Sequence, residues 1–368
     1  MKFTTNRDTL LKVLAVAQEI ISNKSLVSIL SNIYLKADKS ENKVYLKCTN
    51  STFKASTCIA ADVEEDGETT VFCDKLNSIV SALPVGDIQI ESTDLEIIVK
   101  PVDKKVKFKL KIMASDKFPV INGFNEEGST KLDACDFRHL IKQTIFAVST
   151  NSNRPFMTGC YICMKDNLIT MVATDSNRLS SSFCPGKIET PAIIPAKILS
   201  IIEKLCEAGG DIRIKTTDKE FFFKGCGFEI SSTLIDAQFP KWEKVLPQGL
   251  DHTITFSKAE LSDAIKRMVV MADKDGRIQI TAEQNKAVIT SPELEMGNFK
   301  EELIAKYEGE KAEIAMNVMY LSDVLKVINS DDICIDFKFG DDNIVKSAIV
   351  VRPADINTDY THIIMPMR

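Results

Sequence analysis

Residues 196–214 read "AKILSIIEKLCEAGGDIRI". An apolar pattern with helical spacing, "AKILSIIEKL", runs into Gly209-Gly210. It then changes to Asp211-Ile212-Arg213-Ile214, where apolar and polar residues alternate as in a half-buried strand. The same order occurs twice more. "DKLNSIVSAL" (74–83) precedes Asp87-Ile88-Gln89-Ile90, and "VMYLSDVLKVI" (318–328) precedes Asp332-Ile333-Cys334-Ile335. The central serines Ser78, Ser200 and Ser322 lie 122 residues apart both times, and the Asp-Ile-x-Ile segments lie 124 and 121 apart. Upstream, an apolar pair followed by lysine marks a first helix in each copy: Leu10-Leu11-Lys12, Leu140-Ile141-Lys142 and Ala264-Ile265-Lys266, 130 and 124 residues apart. Three markers in one order define a repeat of about 120 residues, close to the commonest domain size.

Working outward, each copy opens with a strand ("MKFTT", "TKLDA", "HTITF"). An amphipathic helix with an Asp or Ser cap follows, in helical stretches 7–18, 136–148 and 257–271. Two or three strands, the second helix and further hairpin strands complete the copy. "KVKFKLKI" (105–112) alternates lysine with an apolar residue and predicts one more half-buried strand. Gly, Pro and polar residues cluster at 122–129 and 247–252 and read as linkers. The chain is therefore α+β, with three tandem, topologically similar domains at 1–124, 129–248 and 252–368.

Composition narrows the function. The 368 residues are 44% hydrophobic and 27% charged, with no membrane-length apolar run and no export signal at the start, so a cytoplasmic protein is expected. Ten cysteines scattered through apolar contexts read as reduced core residues. The close pair Cys160 and Cys163 has no second pair to complete a zinc site. His139, His252 and His362 lie far apart, and neither a phosphate-binding loop nor a nucleophile motif is present. No catalytic residue, metal or cofactor is expected. The net charge of −6 argues against general nucleic-acid binding, yet each first helix sums to +1 and its lysine, Lys12, Lys142 or Lys266, holds the equivalent position. One polar cluster stands out, "ATDSNRLSSS" (173–182). It raises a rival reading, a hydrolase using Asp175, Ser176 and Arg178, although no histidine is near it in sequence. Another rival is a repeat-built adaptor that binds peptides but does not slide on DNA.

"ATDSNRLS" resembles the "ATDGHRLA" segment of bacterial sliding clamps, the β subunits of DNA polymerase III. "FPKWEKVLP" (239–247) resembles "FPDYRRVLP", "IIMPMR" (363–368) resembles "VVMPMRL", and "MKFTTNRDTLLK" resembles "MKFT…LLK". These segments run in order from Met1 to Arg368, so the resemblance covers the whole chain. It implies the DNA clamp fold: a head-to-tail dimeric ring, helices lining the hole and sheets outside. The implied function is that of a non-enzymatic DNA polymerase processivity factor in DNA replication, sliding on double-stranded DNA without reading its sequence. The implied partners are the replicative polymerase, the clamp loader and repair proteins, docking through peptides with Leu and Phe anchors.

Carried over position by position, the resemblance assigns DNA contact to Lys24, Lys75, Arg154, Phe156 and Lys197, beside the helical lysines Lys12, Lys142 and Lys266. Pro155 stands where the family often has an aromatic residue. The peptide cleft would comprise Met157, Thr174, Ser176, Asn177, Arg178, Leu179, Pro240, Lys244, Val245, Ile363 and Met365. Asn317, Tyr320, Pro366, Met367 and Arg368 would form its shelf. Ser176-Asn177 replaces the family's Gly-His pair, and the chain ends at Arg368 where many members add an apolar residue. Both departures predict altered peptide affinity. Ring closure would join Val106, Phe108 and Leu110 of the lysine-rich strand to Val270, Met271, Glu293 and Glu295.

Overall fold

The computed structural model describes residues 1–21, 28–293, 297–340, 345–355 and 358–367; Lys24, Glu295 and Arg368 fall outside them. Each Asp-Ile-x-Ile strand pairs antiparallel with the strand that opens its own repeat, in one shared register. Asn6 lies opposite Asp87, Asp133 opposite Asp211, and Ser257 opposite Asp332. Both isoleucines are buried in every copy: Ile88 and Ile90, Ile212 and Ile214, Ile333 and Ile335. One backbone bond then starts the first helix each time. Arg7 N–H donates to Gly86 O (3.0 Å), Ala134 N–H to Gly210 O (2.8 Å) and Lys258 N–H to Asp331 O (2.8 Å).

These first helices are α1 (Arg7–Ile20), α3 (Ala134–Thr144) and α5 (Lys258–Val269); the second helices are α2 (Cys73–Ala82), α4 (Ala196–Leu205) and α6 (Val318–Val327). In α1, Leu10, Val13, Leu14, Ala17 and Ile20 form the buried stripe that a 3.6-residue period requires. The expected Asp or Ser caps hold in part, and the first helix uses Asn instead. Asn6 accepts from Asp8 N–H and Asp133 from Cys135 N–H, whereas Ser257 makes no side-chain cap. The second helical stretch, 136–148, is shorter than predicted. Thr144 Oγ–H donates back to Leu140 O (2.7 Å), the α-helix stops there, and a 3-10 turn Ile145–Ala147 follows.

By compactness the chain divides into two units, residues 1–138 with 188–234, and residues 139–187 with 235–368. This division cuts the central repeat because sheets run on between repeats. In the first unit a single 13-stranded sheet joins Phe228–Thr233 to Phe53–Ala60, with Ile230 opposite Ala55. In the second, Arg178–Pro185 pairs with Tyr360–Ile364, Ser180 opposite His362. A separate four-stranded sheet in the second unit runs Lys300–Ile304, Lys286–Thr290, Arg277–Glu283, Ala312–Asn317, which leaves Lys300–Ile304 at an edge.

The lysine-alternating strand begins at Phe108, not Lys105, and Val106 is exposed in the preceding loop. Its ladder with Glu96–Pro101 stops at the Val99–Phe108 pair, although that strand itself continues to Pro101, and the residues before Phe108 lie outside the ladder. On its other side only Ile112 and Met113 pair, with Val71 and Thr70. Phe108, Leu110 and Ile112 are half-buried, and Lys109 and Lys111 are exposed, as the alternation predicts.

Candidate functional site

Thr174 to Arg178 forms the turn between the strands Leu168–Thr174 and Arg178–Pro185. Thr174 Oγ–H donates to Arg178 O (2.6 Å) and accepts from Ser176 N–H (3.1 Å). Asp175 Oδ1 accepts from the N–H groups of Asn177 (2.9 Å) and Arg178 (3.0 Å), and its Oδ2 takes Arg178 Nε (3.0 Å). Ser176 is thereby held at φ 79°, a left-handed conformation that suits glycine and strains a residue with a Cβ. Arg178 Nη1 reaches Asp323 Oδ2 (2.8 Å), and its guanidinium lies 4.5 Å from the centre of the Tyr320 ring. Both oxygens of Asp175 therefore hold the turn.

A histidine does approach this serine-rich strand. His362, fully buried, sits with Nδ1 3.1 Å from Ser180 Oγ and Nε2 3.0 Å from Gln143 Oε1. Burial pushes its pKa down to about 3, so the ring is neutral. The serine it meets is Ser180, itself buried, and a glutamine stands where a hydrolase would place a carboxylate. The hydrolase reading centred on Asp175 and Ser176 thus finds no nucleophile–base pair. Burial also pushes the thiols of Cys160 and Cys163 up, to about 12 and 11, so both are inert.

The opposite face of the same strand pair is apolar. Leu179 and Ile363 stand opposite each other and pack with Val172, Trp242 and Ala348, bordered by Tyr161, Phe239, Leu246 and Val350. Phe239 stacks on Tyr161 (4.7 Å between ring centres), Phe156 meets Phe239 edge-on, and Lys165 Nζ lies 4.5 Å from the Trp242 ring centre. Trp242 Nε1 is buried with no hydrogen-bond partner among the described residues. Met365 and Val245 expose 37% and 45% of their surface beside buried Leu179 and Ile363, so apolar area faces outward at the margin of the wall. Met365 N–H donates to Asn177 O and Met367 N–H to Ala315 O, both at 2.8 Å, which ties the tail to the turn and to a strand of the four-stranded sheet.

The structure therefore gathers Thr174, Ser176, Asn177, Arg178, Leu179, Tyr320, Ile363 and Met365 into one neighbourhood. Pro240 and Lys244 are exposed, while Met157 is buried. Asn317 caps α6 by accepting from Met319 N–H (2.8 Å). Pro366 and Met367 are half-buried. Trp242, Phe239, Val172, Ala348 and Asp323 were missed by sequence reasoning. Trp242 and Phe239 lay inside "FPKWEKVLP", and the chain's one tryptophan was the available signal.

Of the residues assigned to DNA, Lys12, Lys75, Lys142, Arg154, Lys197 and Lys266 are exposed and Phe156 is half-buried. Lys266 pairs with Asp263 (2.9 Å). Of those assigned to ring closure, Val270 is 81% exposed, Glu293 is exposed and Met271 is half-buried. Nearby, Glu301 binds Arg267 Nε (3.0 Å).

Family models of the DNA polymerase III β subunit match residues 1–122 (N-terminal domain), 131–241 (central domain) and 243–368 (C-terminal domain). The chain belongs to the DNA polymerase III β-subunit family. Among relatives, the β sliding clamp of Treponema pallidum is 34% identical and that of Pseudomonas aeruginosa 29%, each covering 100% of both chains. A solved P. aeruginosa sliding clamp bound to griselimycin superposes with a TM-score of 0.91 at 26% identity, covering 100% of this chain and 99% of that one. As a β subunit the protein is a processivity factor and not an enzyme.

Within this β subunit the turn has a twin. Thr49 to Phe53 joins the strands Lys43–Thr49 and Phe53–Ala60, and Ser51 has φ 78°. Thr49 Oγ–H donates to Phe53 O (2.9 Å), and Asn50 Oδ1 accepts from the N–H groups of Thr52 (3.1 Å) and Phe53 (2.8 Å). Matching registers make Thr49 equivalent to Thr174, Lys54 to Leu179 and Ser231 to Ile363. Phe118-Pro119 likewise matches Phe239-Pro240, with Phe118 packing on Tyr34 as Phe239 does on Tyr161. The apolar wall of Val172, Leu179, Ile363 and Trp242 thus corresponds to Lys47, Lys54, Ser231 and Ile121. There Lys54 binds Glu220 (2.9 Å).

Proposed function

We propose that the wall built on Leu179 and Ile363 is the docking cleft through which this processivity factor holds polymerase, clamp-loader and repair proteins by Leu- and Phe-anchored peptides. The single observation behind this reading is that apolar wall, with half-exposed Met365 and Val245 at its margin, while the equivalent surface of the other strand junction is charged. Trp242 adds a buried donor without a protein partner, suited to a peptide carbonyl. The griselimycin complex of a relative supports a ligand site in this fold. Methionines at the margin suit several anchors, because an unbranched thioether repacks readily. Replacing Leu179 and Met365 by alanine tests the reading. Unchanged binding of a polymerase tail peptide sinks it.

The repeats at 1–124, 129–248 and 252–368 form one protomer of a head-to-tail dimeric ring in the cytoplasm, threaded by DNA. Lys12, Lys24, Lys75, Lys142, Arg154, Phe156, Lys197 and Lys266 meet the phosphates through salt-dependent attraction. Repeat logic supports the ring. The fourth strand of repeat one pairs with the last strand of repeat two, and the fourth strand of repeat two with the last strand of repeat three. The remaining members are the edge strand Lys300–Ile304 and Phe108–Met113, which pair between protomers and bring Val106, Phe108 and Leu110 towards Val270, Met271, Glu293 and Glu295. Retention on circular DNA after loading, with release on linearisation, tests sliding against the adaptor reading. A stable monomer at micromolar concentration overturns ring closure.

A further inference from the structure

We propose that the buried chain Ser180–His362–Gln143 sets the register of the C-terminal strand, so that His362 is a positioning residue for the apolar wall on the opposite face. The inference rests on the docking cleft described under Proposed function. Each group in the chain has one assignable role. Gln143 Nε2 donates to Val327 O at the end of α6 (3.0 Å), so its Oε1 is left to accept. His362 Nε2–H therefore donates to that oxygen (3.0 Å), which leaves Nδ1 to accept from Ser180 Oγ–H (3.1 Å). The line of bonds joins α3, the Tyr360–Ile364 strand, the Arg178–Pro185 strand and α6, with all three side chains buried.

A device of this kind has work to do here. The strand reads Tyr-Thr-His-Ile-Ile, and Ile363 and Ile364 are both buried although they point to opposite faces. Hydrophobicity therefore does not choose which isoleucine faces the wall, and a slip of one residue would exchange them. Only the register with His362 opposite Ser180 satisfies Ser180 and Gln143 together. A slip takes the imidazole away from buried Ser180 Oγ and Gln143 Oε1, the situation in which a polar core residue selects one arrangement over its neighbours. That same register puts Ile363 opposite Leu179 and aligns Met365 N–H with Asn177 O. The twin junction lacks the device: Val13, Ala55 and Ile230 occupy the corresponding places and are all buried.

The twin supplies the experiment. Full-length protein carrying Gln143→Val, Ser180→Ala and His362→Ile copies the apolar junction in a packing already present in this fold. Peptide affinity is measured with a Leu- and Phe-anchored peptide, stability by thermal unfolding, and strand pairing by amide hydrogen exchange at residues 361–365. The expected result is a melting temperature at or above that of the parent, about tenfold weaker peptide binding, and faster exchange at Ile363 and Met365. Restoring Ser180 and His362 with Gln143→Glu, whose carboxyl group, held neutral by burial, donates to Val327 O and accepts from His362 in the same places, is expected to recover the affinity. A triple variant with parental affinity and exchange overturns the proposal, as does one in which affinity falls only in step with melting temperature. If the parent itself binds no peptide, or binds it regardless of Leu179, the docking reading fails instead, and the exchange data still decide the register.

Discussion

The strand junctions Phe53–Ala60 with Phe228–Thr233 and Arg178–Pro185 with Tyr360–Ile364 share a register, a five-residue turn and a serine at positive φ. They differ in side chains at a few equivalent places. Phe53 becomes Arg178, Lys54 becomes Leu179, Ser231 becomes Ile363, and the buried group of Val13, Ala55 and Ile230 becomes Gln143, Ser180 and His362. The turn is thus a structural part made twice. One copy carries apolar residues outside and polar ones inside, and in the proposed reading that difference is its docking chemistry.

Moving residues from one junction to the other tests that view. The largest effect is expected from Arg178→Phe, which introduces the twin's Phe53. Asp175 and Asp323 lose a partner whose side chain is only 11% exposed, which costs about 3 kcal/mol. Urea unfolding measures this, and a cost below about 1 kcal/mol would mean that the ion pairs do not hold the turn. Next is Leu179→Lys, the twin's Lys54. Peptide affinity should fall at least ~100-fold by calorimetry, equivalent to about 2.7 kcal/mol, whereas the reverse change Lys54→Leu alone creates no binding.

The pH response comes third. His362 titrates near 3 in the folded chain, below its ordinary value of 6.5. The unfolded chain therefore takes up the proton first. The contribution of His362 to stability is complete above pH 6.5 and is lost as pH falls towards 3, by about 1.4 kcal/mol per unit. The triple variant that copies the apolar junction retains His139 and His252, so the difference between its unfolding free energy and the parent's from pH 7 to 5 isolates His362. Parallel curves would contradict a neutral, buried imidazole. The smallest effect belongs to Ser176→Gly and Ser51→Gly. Each relieves a left-handed serine and should stabilise by about 0.5 kcal/mol. A gain at one turn but not the other would break the equivalence of the two.

Much of this architecture was legible beforehand. The Asp-Ile-x-Ile segments proved to be strands with both isoleucines buried, and their spacing gave the repeat. The exposed lysines Lys12, Lys142 and Lys266 stand next to buried residues in all three first helices. Cap chemistry was less readable. Asp133 accepts the expected bond and Ser257 does not, while the first helix is capped by Asn6, neither the Asp nor the Ser expected. The strand at Phe108 starts later than the alternation predicts, since a two-residue pattern continues past the last pair of the ladder, Val99 with Phe108. Trp242 carries no periodic signal, because it is a single aromatic residue in a four-residue 3-10 turn.

By itself the sequence determined the three repeats, the strand and helix order, and the absence of any enzymatic motif, because local periodicity and spacing carry that information. Tertiary structure alone decided how "ATDSNRLSSS" is built into the fold. Asp175 and Arg178 bind each other, and His362, 182 residues beyond Ser180, arrives at that serine and not at Ser176. Leu179 becomes part of a wall only because Ile363 is brought opposite it by strand pairing. Contacts over such separations follow from register and burial, and those are properties of the folded sheet.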